Sequence, residues 1–117
     1  MDRVKVGIAA GLPDALCERL TTLEPRIELV RDVEAVPPAR SIGEWARPRP
    51  IERTEAQDAA WLDVLGGCDA LFGIPGSPDR LARVLAASDR VRWVHTMAAG
   101  GGGQVKAANL DAPTLER

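Results

Sequence analysis

This sequence predicts an α/β fold built on a parallel sheet, and three features predict it. Short β-branched or apolar runs alternate along the chain with stretches whose apolar residues recur at helical spacing. One run, Asp69-Ala70-Leu71-Phe72-Gly73-Ile74, is apolar at both alternating sets of positions, the pattern of a central strand covered on two faces. Ser77-Pro78-Asp79 then opens a helix, with Ser as the cap, Pro in the first turn and Asp at the helix's positive end.

Taken in order, Val4 to Ala9 reads as the first strand, closed by Gly11. Pro13 stands where the first turn of a helix tolerates proline, and Leu12, Leu16, Leu20 and Leu23 make one helical face. Pro25 ends that helix, and Ile27 to Val30 is the second strand. Residues 31–52 break the rhythm. Pro37, Pro38, Pro48 and Pro50 preclude a regular helix or central strand there, while Arg40, Arg47, Arg49 and Arg53 gather in or beside it around Trp45. The stretch reads as a solvated loop, and a partner-contact surface anchored by Trp45 is the competing reading.

A second helix runs from Glu55 to Leu65, with Trp61, Leu62, Val64 and Leu65 on its apolar side and Gly66-Gly67 at its end. After the strand at 69–74, Leu81, Val84 and Leu85 form the buried stripe of a third helix. Val91 to His95 is the fourth strand, and Gln104 to Asn109 a fourth helix. With right-handed crossovers, the natural arrangement is a flavodoxin-like sheet of order 2-1-3-4 flanked by helices.

Bulk properties narrow the function. The 117 residues make one domain with a real core. Three Trp, one Phe and no Tyr leave too few aromatics for a surface that stacks nucleobases. A net charge of −2 supplies no field toward nucleic acid or an anionic membrane. Glu44, Glu52 and Glu55 also argue against a nucleic-acid patch around the arginines. Cys17 and Cys68 lie in no metal-ligand spacing, and a single His leaves little room for zinc. They read as reduced thiols of a cytoplasmic protein. Neither a signal peptide nor a stretch approaching the roughly 18 apolar residues of a membrane span is visible.

In open parallel sheets ligands sit beyond the carboxyl ends of the strands, here Ala9–Leu12, Ile74–Ser77 and Thr96–Gly103. The last of these contains four consecutive glycines, Gly100 to Gly103, which are entropically costly unless bare backbone is needed. They do not make a dinucleotide fingerprint. Counting from Gly100 or Gly101, the final position falls on Val105 or Lys106, and no later strand carries the required acidic residue. A P-loop fails because Lys106 is followed by Ala107-Ala108. A phospho-receiver fails because the first and third strands end in Ala9-Ala10 and Gly73-Ile74 rather than carboxylates, with Asp69 at the wrong end of its strand. What remains is a glycine-rich turn between strand and helix that offers backbone N–H groups to a carboxylate or a phosphate, or that merely lets the chain turn.

From Asp69-Ala70-Leu71-Phe72-Gly73 through the Pro75-Gly76 loop, Trp93-Val94 and Ala98-Ala99-Gly100, residues 68–110 resemble the N-terminal substrate domain of the D-isomer-specific 2-hydroxyacid dehydrogenases. The resemblance implies that backbone N–H groups of Ala99, Gly100 and Gly101 hold the substrate carboxylate, with Ile74, Pro75 and Gly76 lining the same cleft. It implies a complete enzyme that moves hydride between NAD or NADP and a small 2-oxo or 2-hydroxy acid. That enzyme's Rossmann domain, with its glycine fingerprint and catalytic Arg, Glu and His, would follow the 117 residues and is absent from them. Four glycines are also richer than the family's usual loop. His95, near the expected cleft, has chemistry suited to proton transfer but reads as a structural or cleft-wall residue, since no hydride donor site accompanies it. The expectation is therefore a truncated substrate-binding portion that binds no cofactor and is inactive alone, with a homodimer as one expected assembly. The alternative is a stand-alone, non-catalytic carboxylate-binding or self-association module.

Overall fold

The computed structural model describes residues 3–38, 53–75, 77–96, 106 and 110. Within them run β1 (Val4–Ile8), α1 (Asp14–Leu23), β2 (Ile27–Val30), α2 (Glu55–Gly66), β3 (Ala70–Phe72), α3 (Pro78–Ala87) and β4 (Trp93–His95). Every strand pair is parallel and the order is β2-β1-β3-β4, a flavodoxin-like α/β domain. Lys106 is helical, within the expected fourth helix, whose other residues lie outside the described ones.

The strand order places the helices. A right-handed crossover from β1 leftward to β2 puts α1 on one face, while the rightward steps to β3 and β4 put α2 and α3 on the other. The cores follow that division. On the α1 face, Ile8, Leu12 and Cys17 pack with Val6, Leu16, Leu20, Leu29 and Phe72. On the other, Trp61, Leu62 and Leu65 of α2 and Leu81, Val84 and Leu85 of α3 close over Leu71, Cys68 and Val91. Leu110 packs against this second core. Gly7 faces it too, and a Cβ there would stand 2.6 Å from Leu65 Cδ2.

The expected helix starts hold, each with a local cause. Thr54 accepts a hydrogen bond from the Gln57 N–H while the Gln57 side chain accepts one from the Thr54 N–H, a reciprocal cap for α2. Ser77 Oγ accepts from the Arg80 N–H, with Pro78 opening α3. Other boundaries differ. Pro13 is the residue before α1 rather than its first turn, with ψ at 148°. The strands at 69–74 and 91–95 shorten to Ala70–Phe72 and Trp93–His95, and β3 ends where Gly73 turns out of the extended region at φ +94°. Two stripe residues are misplaced by the periodicity: Leu23 is 69% exposed and Val64 49%. Cys17 fills the buried position on α1, and Val64 lies outside the arc that α2 turns to the sheet.

Candidate functional site at the carboxyl edge of the sheet

All strands being parallel, the turns after β1, β3 and β4 leave the same edge, toward which the amino ends of α1, α2 and α3 also point. Connections from β1 and β3 run in opposite directions across the sheet, so the edge between them is the switch point at which such folds bind ligands.

The turn after β1 is shut. Ala9, Ala10, Gly11 and Leu12 are all buried. Gly73 presses against this turn: a Cβ on it would stand 2.8 Å from Ala10 Cβ and 3.0 Å from Ala10 N. The Ala9 N–H donates to Phe72 O at 2.9 Å and the Gly73 N–H to His95 O at 2.8 Å, so the ladder continues into the turns. Beyond that contact the chain rises through Ile74, half-buried against the second core, to the buried Pro75. Pro75 O accepts from the Ser77 N–H at 3.0 Å, whereas Ile74 donates no backbone hydrogen bond to another described residue. Ile74 and Pro75 thus stand at the carboxyl edge, as the sequence places them. Gly76, Ala99, Gly100 and Gly101 lie outside the described residues, as do the rest of the glycine run and Trp45.

Arginines ring the same edge, and sequence reasoning missed their roles. Arg31, just past β2, pairs with Asp14 at 2.9 Å and reaches Leu12 O at 3.5 Å, fastening the turn after β1. Arg53 lies 3.6 Å from Asp32 and donates to Gln57 O at 3.1 Å. Arg80 of α3 pairs with Asp58 of α2. The Nε atoms of Arg53 and Arg80 are buried without a hydrogen-bond partner among the described residues. Burial, and then repulsion from Arg83 and Arg53, holds the Arg80 guanidinium below its ordinary pKa. These pairs join residues far apart in the chain, and no local spacing announces them.

Of the helix amino ends here, those of α2 and α3 are capped by their own side chains, and that of α1 is not. Pro13, before α1, has no N–H to offer, and Asp14 adds a negative charge. The α2 and α3 ends are capped by Thr54 and Ser77 and carry Glu55, Asp58 and Asp79 in their first turns. An acid in the first turn already complements the dipole and repels a second anion. The starts of α2 and α3, already capped and acid-bearing, therefore do not favour a further anion.

His95 departs from a cleft-wall position. Its side chain lies on the α1 face of the sheet, exposed, stacked on Phe72 at 5.3 Å and edge-on to Trp93 at 6.3 Å. Only its carbonyl takes part at the carboxyl edge. Cys17 and Cys68 are free and buried, and burial pushes both thiols up, away from the reactive thiolate. Among the described residues, no three His, Cys, Asp or Glu converge as metal ligands. No helix among them is long and apolar enough to cross a membrane.

No protein-family model, curated protein or solved structure matches this chain.

Proposed function

We propose that this domain is the substrate-binding portion of an NAD(P)-dependent D-2-hydroxyacid dehydrogenase, with the loops after β3 and β4 holding the carboxylate of a small 2-oxo or 2-hydroxy acid. One observation carries the reading: Ile74 and Pro75 leave β3 beside the β1/β3 switch point, on the edge where the chain after β4 also emerges. The Ile74 N–H, which donates to no other described residue, supports it, as do the backbone donors that the sequence concentrates at Ala99, Gly100 and Gly101. The sequence adds Gly76 next to Ile74 and Pro75 on the β3 side.

A nicotinamide dinucleotide does not fit these residues. Its pyrophosphate needs an open glycine-rich turn after a first strand and a helix end with free N–H groups. Here that turn is buried, and Pro13 and Asp14 follow it. On this reading the cofactor site, and the Arg and His that clamp the carboxylate and move the proton, belong to a further domain. The present chain orients the acid.

Amide-resolved NMR titration tests the proposal. Pyruvate and glyoxylate are expected to shift the Ile74 amide and those of residues 99–101 saturably, whereas methyl pyruvate, which lacks the charge, should not. No saturable shift at those amides from an acid with Kd of ~10 mM or tighter would overturn it. No NADH oxidation is expected from the chain alone.

The second reading, a stand-alone module that binds carboxylates or self-associates without catalysis, is favoured by Trp93, which is 66% exposed on the outermost strand. Sedimentation equilibrium tests the self-association arm: a concentration-dependent dimer abolished by Trp93→Glu would support it, and a monomer at all concentrations would remove it.

A further inference from the structure

We draw no further inference here: the strongest candidate, the half of the α1 face of the sheet where Phe72, His95 and the exposed Trp93 line β3 and β4, is an unpartnered apolar face with nothing in the structure to show what covers it.

Discussion

Asp69 lies at the amino end of β3, away from any ligand edge, yet it ties three strands together. Its Oδ2 accepts the Lys5 N–H at 2.8 Å and its Oδ1 the Arg90 Nε–H at 3.0 Å. Its own N–H donates to Lys5 O, and its carbonyl accepts from the Arg92 N–H just before β4. The Lys5 hydrogen bond first, and then Arg90, holds this carboxyl below the ordinary aspartate value. The folded value therefore lies below the unfolded one, about 3.9. The resulting stability is present in full above the unfolded value and is lost as pH falls through the folded one. Asp69→Asn is expected to flatten that part of the acid limb in urea unfolding, and an unchanged limb would deny the linkage. Asp69→Ala, which leaves the Lys5 N–H without its acceptor, should cost about 1–3 kcal/mol at neutral pH. Gly73 gives a sharper residue-scale case. At φ +94° with Ala10 in contact, an alanine meets both an unfavourable backbone region and another residue's backbone. Gly73→Ala should destabilise by at least about 1–3 kcal/mol, read as a lower urea midpoint. A wild-type midpoint would show that the turns after β1 and β3 are not held together as described.

Between elements, stability rests on caps and on the second core. Thr54→Ala removes one arm of the reciprocal cap on α2 and should cost about 1 kcal/mol. Leu81→Ala, emptying a fully buried position between α3 and the sheet, should cost about 2–5 kcal/mol. Chemical denaturation of the two variants checks both the sizes and their order. At this scale the sequence was most legible. The bounds of β2, the start of α2 at Glu55 and the Ser77 cap of α3 all come from residues adjacent in the chain, where propensity and punctuation act locally. Legibility fails where the outcome depends on what lies opposite. Leu23 continues the leucine spacing of α1 but is exposed, since spacing gives the direction of an apolar arc rather than its width. Arg31–Asp14 and Arg80–Asp58 were invisible for the same reason, since each pair is made by the topology. Of the candidate site, the position of Ile74 and Pro75 was readable because strand ends in a parallel sheet are set by element order alone. The closure of the turn after β1 was not, although an isolated glycine within an apolar run, Gly73, is a signal of close backbone approach.

At the scale of the whole molecule, the two faces of the sheet are unequally covered. Among the described residues, two helices close over one face, whereas α1 alone covers the other, chiefly above β1 and β2. Register puts Ala70 opposite Trp93 and Phe72 opposite His95, so among the described strands the β4 side chains on that face have only β3 beside them. The two described tryptophans report the asymmetry, since Trp61 is buried in the second core while Trp93 is exposed. Opening free energies in a small domain range from near zero at exposed, sparsely packed segments up to the global value in the core. Amide hydrogen exchange should therefore be slowest at Val6–Ile8 and Leu71, in the two central strands, and should reach the global unfolding value there. Amides of β4 should exchange through a lower-energy opening that leaves β1 and β3 protected. Trp93→Phe should leave the slow amides unchanged, because the indole contributes little to either core, while Trp61→Ala should accelerate all of them together by the loss of about 3–5 kcal/mol. Equal protection across β1, β3 and β4 would mean that β4 is as firmly held as the centre of the sheet. The loop after it would then sit on a rigid strand, in contrast to the expected gradient, in which the β3 side of the proposed carboxylate cleft is rigid and the β4 side opens.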